Sequence, residues 1–167
     1  RHVGDDVYGL MVRVPVGGAL VRMDLMSTYA GEENERFISG LINADYSFSL
    51  FGRMTYVFGE YFHNGFGLER LDPNGVVLPP GLLERLVRGE LFNLMQDYAA
   101  VGMTHQWHPL VGQSLTVLGN LHDGSSLLQT SLSFDPGDHA RLEVGVVATL
   151  GSDGDEFGGV PVMPGVT

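Results

Sequence analysis

The sequence predicts an all-β fold: an antiparallel, up-and-down transmembrane β-barrel, about eight strands of a larger barrel, with one short helix in a long outer loop. Three observations predict it. Segments of ten or more residues separate by parity into an apolar and a polar set, as strands do when their two faces meet different surroundings. In Phe37–Leu50, Ile38, Gly40, Ile42, Ala44, Tyr46, Phe48 and Leu50 oppose Phe37, Ser39, Leu41, Asn43, Asp45, Ser47 and Ser49. No apolar run reaches the roughly 18 residues that a spanning helix needs. The 24 glycines suit turns, and each would cost about 0.5–1 kcal/mol relative to Ala inside a helix.

The first strand pair is Val7–Val16 and Ala19–Tyr29 around Gly17-Gly18, a two-residue loop suited to a tight hairpin. Tyr8, Leu10, Val12 and Val14 oppose Val7, Gly9, Met11 and Arg13; Val21, Met23 and Leu25 oppose Arg22, Asp24 and Thr28. The second pair is Phe37–Ser49 and Arg53–His63 around the three-residue turn Leu50-Phe51-Gly52, where Gly52 supplies a positive φ. Parity after that turn is open. Met54, Tyr56 and Phe58 face lipid if Arg53, Thr55 and Gly59 face inward, and a one-residue slip reverses them.

The third pair, Tyr98–Trp107 and Gly112–Leu121, is joined by His108–Val111; the fourth, Ser126–Phe134 and His139–Leu150, by the turn Asp135-Pro136-Gly137-Asp138. These four connections are short, whereas residues 30–36, 64–97 and the tail 151–167 are long; His122–Ser125 is the short exception at the long-loop end. One domain, 1–167, follows. The loop 64–97 contains Pro79-Pro80-Gly81 and an amphipathic stretch, Leu82–Met95, that reads as a helix over or inside the mouth, with Gly89 against it.

Twenty acidic and nine basic residues leave a net charge of −11, which repels phosphate backbones and excludes nucleic acid as a partner. The absence of cysteine removes disulfides, thiolate metal sites and thiol nucleophiles. No cofactor is expected. Acidic residues gather at the long-loop end, at Asp5-Asp6, Glu32-Glu33-Glu35, Asp123 and Asp153-Asp155-Glu156. Carboxylates there offer oxygens to divalent cations, although a solvated acidic tip outweighs that reading for Asp153–Glu156, which lacks the rest of an EF-hand loop.

The runs Glu60-Tyr61-Phe62-His63-Asn64-Gly65-Phe66-Gly67, His108-Pro109-Leu110 and Asn120-Leu121-His122-Asp123-Gly124-Ser125 resemble C-terminal parts of uncharacterised, porin-like bacterial outer-membrane proteins, over about Phe37–Gly158. The resemblance implies the bacterial outer membrane as location, membrane lipid as partner and passage of small solutes. Such proteins finish on an aromatic-terminated strand with both termini in the periplasm. This chain ends Pro164-Gly165-Val166-Thr167 and its strand count begins and ends on the long-loop side, so a fragment lacking a strand at each end is expected.

A charge on the lipid face costs about 2–4 kcal/mol for Arg at the midplane. Arg13, Arg22, Asp24, Asn43, Asp45, Arg141 and Glu143 are therefore lumen-lining candidates. They either set a transverse field across a pore or form an internal ion-pair network that plugs the wall. Tyr8, Tyr46, Phe48, Tyr56, Trp107 and Phe134 are candidates for the aromatic girdles. No catalytic set emerges: His122 and Ser125 differ in parity across a turn, and His63 reads as a strand end. His105 and His108 lack the further ligands of a metal centre. Solute passage is the leading function; a non-conducting structural or adhesive barrel, and a soluble secreted β-barrel with an apolar ligand, are the alternatives.

Overall fold

The computed structural model describes residues 5–31, 34–70, 78–137 and 140–158. Its strands are β1 (Asp6–Val16), β2 (Ala19–Ala30), β3 (Glu35–Leu50), β4 (Arg53–His63), β5 (Asp97–His108), β6 (Val111–Asn120), β7 (Ser126–Gly137) and β8 (Ala140–Leu150). They pair antiparallel, each with its chain neighbour, in one eight-stranded sheet. Among the described residues the single helix is α1 (Pro80–Val87). The fold is thus all-β and up-and-down, and the sheet is an open arc whose outer edges are β1 and β8.

Turn chemistry fixes the register. Gly17 and Gly18 both have positive φ, 56° and 92°, and close Val16 onto Ala19 as a two-residue loop whose twist matches the strands. The next hairpin differs from the expected three-residue turn: Leu50 pairs Arg53, leaving Phe51 and Gly52, at φ 53° and 73°, as the two-residue loop. The Asp135–Asp138 turn is also corrected. β7 continues through Asp135, Pro136 and Gly137, with a register shift between Phe134 and Gly137; Asp138 and His139, and so the tip itself, lie outside the described residues.

Closing Leu50 on Arg53 settles the open parity. Arg53, Thr55, Gly59, Tyr61 and His63 share a face with Ile42 and Tyr46, while Met54, Tyr56 and Phe58 fall on the face of Asn43 and Asp45. The inward placement of Arg53, Thr55 and Gly59 is therefore reversed. In the same way Tyr56, a girdle candidate, belongs to the polar face, opposite Ser47 and Thr104.

Among the described residues no second layer covers the apolar face. Val12, Met23, Ile42, Tyr61, Ala99 and Gly119 are successive partners across six strands, and Ile42 and Val146 are 50% and 48% exposed. Val117 on the same face is half-buried. No helix among the described residues is long and apolar enough to cross a membrane.

The packed core sits instead at one end of the opposite face. Buried Thr28, Ala30, Ser39, Tyr98 and Asn120 lie on this face, and the β4–β5 connection bonds two of them, Gly65 N–H to Ser39 Oγ at 3.0 Å and Met95 N–H to Tyr98 Oη at 2.7 Å. Asn64 N–H donates to Gln96 O at 2.7 Å and Leu68 N–H to Leu94 O at 2.8 Å, drawing the two arms of that connection together. Gly67 lets them meet, since a Cβ there would stand 2.2 Å from Met95 O; one on Gly65 would stand 2.3 Å from Ile38 O.

The helix is shorter than the Leu82–Met95 stretch and starts two residues earlier. Pro80 opens it, where a missing N–H costs no helical bond. Gly89 (φ 71°) ends it: its N–H reaches Leu86 O at 3.0 Å and that of Glu90 reaches Arg85 O at 2.9 Å, the paired bonds of a Schellman stop.

Candidate functional site

Arg13, Arg22, Asn43 and Glu60 occupy successive cross-strand positions on the polar face of β1–β4. Arg22 Nη1 donates to Asn43 Oδ1 at 2.9 Å and lies 2.5 Å from Asp45 Oδ2; Asn43 Nδ2 donates to Glu60 Oε2 at 3.3 Å. A half-buried cation is thereby held between one carboxylate, Asp45, and the Asn43 amide, which is itself tied to Glu60. Such charge-assisted bonds are about twice as strong as neutral ones. Asp24 shares the face two positions along β2 from Arg22.

Arg141 and Glu143 share the polar face too, but on β8. Five strand intervals separate β8 from β3, about 24 Å along the sheet at about 4.8 Å each. Arg141 Nε lies 3.8 Å from Asp135 Oδ1 and 3.7 Å from Glu143 Oε2. The seven charged or amide candidates thus form two separate groups, one on β1–β3 and one on β8. Glu60, which completes the first, carries no sequence signal beyond alternation, and its parity depended on the Gly52 turn.

The outer end of this face is occupied by the chain itself. On the β3 side Phe66 stacks on Phe37 at a centroid distance of 4.2 Å, and the Arg85 guanidinium of α1 lies 4.1 Å above the Phe66 ring while bonding Asp5 at 2.7 Å. At the β5–β7 side the anchor is Glu156. It accepts from Tyr98 Oη at 2.6 Å, Asn120 Nδ2 at 2.8 Å and Leu94 N–H at 2.8 Å, and Tyr98 Oη in turn accepts from Met95 N–H at 2.7 Å.

The solvated acidic tip expected at Asp153–Glu156 is therefore corrected for Glu156, which turns inward as a latch. Of the other acidic residues at this end, Glu32 and Glu33 lie outside the described residues. Among the described residues no group of three or more His, Asp or Glu is placed to hold a metal.

Asp123 secures the latch. Its Oδ1 accepts from Ser125 N–H and hydroxyl at 2.8 and 2.7 Å, and its Oδ2 from Glu156 N–H at 2.8 Å. Burial pushes this carboxyl up, but the Glu156 N–H and both Ser125 donors favour the anion more, and the net shift is downward. A depressed folded pKa stabilises fully above the unfolded value of about 3.9 and is lost as pH falls through the folded value. Hydrogen exchange at the Glu156 amide should accordingly rise below about pH 4, and Asp123→Asn should raise it at neutral pH as well; equal protection in both proteins at pH 7 would contradict this linkage.

The aromatic candidates Tyr8, Tyr46, Phe48 and Phe134 lie on the apolar face by register. Near the short turns Tyr46 and Phe48 stack at 5.9 Å. Trp107 donates to Gln113 Oε1 at 2.9 Å and packs edge-on against His105 at 4.4 Å. His105 Nδ1 is 2.7 Å from Thr55 Oγ1, whereas His108 Nδ1 accepts from Leu110 N–H at 3.2 Å. The two histidines thus have separate partners.

At the opposite end Asp97 gathers Tyr61 Oη at 2.5 Å, His63 Nδ1 at 2.7 Å and His122 Nε2 at 2.7 Å. This cluster staples β4, β5 and the β6–β7 turn at the rim. Sequence reasoning missed Asp97, whose partners are 25 to 36 residues away. The apolar face thus carries polar and aromatic groups at both ends.

No protein-family model, curated protein or solved structure matches this chain.

Proposed function

We propose that this chain is an arc of the wall of a bacterial outer-membrane β-barrel that passes small polar solutes. The observation that carries the reading is the inversion of the two faces. Aliphatic side chains of all eight strands stand on the uncovered face, while the packed core and the ion-pair network are on the other. Lipid satisfies such an aliphatic band, and water leaves it unfavourably exposed. A soluble apolar-ligand barrel requires the reverse, with its aliphatic residues packed.

The edges β1 and β8 are completed by further strands, of the same polypeptide or of other copies, because a spanning sheet has no open edge in lipid. The Arg22–Asp45–Glu60 group then faces the water-filled side and sets charge preference. In planar bilayers the full-length protein should form conducting pores, with Arg22→Glu shifting reversal potentials toward cation preference. Correctly folded protein that never conducts would remove transport from the reading.

A second reading, a sealed structural barrel, is favoured by the β4–β5 connection lying across the outer end of the polar face. It requires silence in the native protein and current once that connection is removed.

A further inference from the structure

The register assembles a feature that no single strand displays. Ser47 pairs with Tyr56, Tyr56 with Thr104, Thr104 with Ser114, and Ser114 with Ser131. Five hydroxyls therefore stand side by side on the polar face of five neighbouring strands, and the next position in the row is Gly145, which leaves its end open. At about 4.8 Å per strand the row is about 19 Å long. It carries no charge. The ionic groups lie outside it: Asp45 is already engaged by Arg22, and Arg141 sits between Asp135 and Glu143.

Four of the five hydroxyl residues, Tyr56, Thr104, Ser114 and Ser131, line a hollow of about 400 Å³ near the short turns, whose lining on the β7–β8 side includes Asp135, Arg141 and Glu143. That volume lies in the range of small-molecule sites, about 300–1,000 Å³. The hydroxyls are not all spent on each other: Ser114 and Ser131 are 2.8 Å apart, and each hydroxyl offers one donor and two acceptor positions.

An aromatic surface flanks the row. Tyr56 and Phe58 form a tilted pair at 6.2 Å, and the Phe58 ring occupies the space that a Cβ on Gly102 would need, 2.2 Å from its Cε1. Only glycine at 102 lets that ring lie over β5.

We propose that this row is a binding subsite for neutral polyhydroxylated solutes, of the chemical class of short saccharides, on the path through the pore; the proposal rests on the pore reading above. Such a solute needs partners that both donate and accept, which hydroxyls do and fixed charges do not. Its C–H faces need an apolar plane, which Tyr56 and Phe58 provide. A neutral solute meets Asp135, Arg141 and Glu143 through hydrogen bonds alone, with no net charge attraction, so selectivity here follows shape and hydroxyl pattern.

The test uses the full-length protein and maltotriose as the probe, with a polyethylene glycol of equal size as the control. In planar bilayers, millimolar maltotriose should interrupt single-channel current, the glycol should do so far less, and Tyr56→Ala should raise the half-blocking concentration at least tenfold. Thr104→Val, nearly equal in volume, should raise it several-fold without disturbing the fold. Open pores that respond equally to maltotriose and the glycol would overturn the subsite and leave the pore standing. If folded protein gives no current, the pore reading fails, and calorimetric titration of the same protein in micelles of a sugar-free detergent decides the subsite separately: heat of binding lost in Tyr56→Ala upholds it, and no heat overturns it.

Discussion

Arginine in place of Ile42 should cost about 2–4 kcal/mol of folding free energy in lipid vesicles, whereas arginine in place of Ser47, on the opposite face of the same strand, should cost less than about 1 kcal/mol. Ile42 lies near the middle of the sixteen-residue β3, on the face carried by Met23 and Tyr61, so hydrocarbon would surround the new charge. Ser47 stands on the other face. Its nearest partners there are Tyr56 and the water-facing row, where a guanidinium stays hydrated. Urea titrations of both variants in phospholipid vesicles, with Val146→Arg as a second probe on β8, measure the difference. Equal costs on the two faces would mean that neither meets lipid, and the membrane assignment would fall. In a water-exposed sheet Ile42→Arg would be nearly neutral, since it replaces a half-exposed aliphatic group.

Glu156→Ala should have the second largest effect. Removing the carboxylate strands three donors, the Tyr98 hydroxyl, Asn120 Nδ2 and the Leu94 N–H, and an unsatisfied buried donor costs about 1–3 kcal/mol. The loss is local: it falls on the contact between residues 94–98 and the 151–158 segment, not on the strand ladder. The β4–β5 connection should become sensitive to added protease, and on the pore reading proposed above the current should be larger or noisier. Glu156→Gln keeps the shape and one acceptor oxygen but turns an NH₂ toward donors, so it should fall between alanine and the native protein. Unchanged protease protection in Glu156→Ala would show that the Phe37–Phe66–Arg85 stack alone holds the connection in place.

How far the sequence carries these conclusions depends on the range of the interaction. Strand number, order and most boundaries follow from local alternation, because a face that is uniformly aliphatic over ten residues leaves one choice of parity. Arg13, Arg22, Asp24, Asn43 and Asp45 were legible as one polar face for that reason. The Met54–Phe58 run has bulky apolar groups on both faces, so alternation cannot orient it. The orientation comes from the Leu50–Arg53 closure, a backbone property of Phe51 and Gly52, and Tyr56 was misplaced as a result.

The latch was illegible for a different reason. Glu156 and Tyr98 are 58 residues apart, and their meeting needs the registers of β5 through β8 together with the course of the tail. Asp153-Gly154-Asp155-Glu156 reads as hydrophilic surface, yet one of its carboxylates is claimed by buried donors. Arg85 shows the same limit. A basic residue on a short helix gives no sign that Phe66 and Asp5 await it.

Along β1, all eleven residues are exposed on both faces, and its outward amides and carbonyls lie on the free side of the arc. Until those groups find their neighbour, the nascent polypeptide carries an adhesive seam nearly the length of a bilayer crossing. On the membrane reading proposed above, a cell making this protein keeps it escorted by holdase chaperones until insertion, because lateral growth into fibrous ribbons competes with every moment of delay.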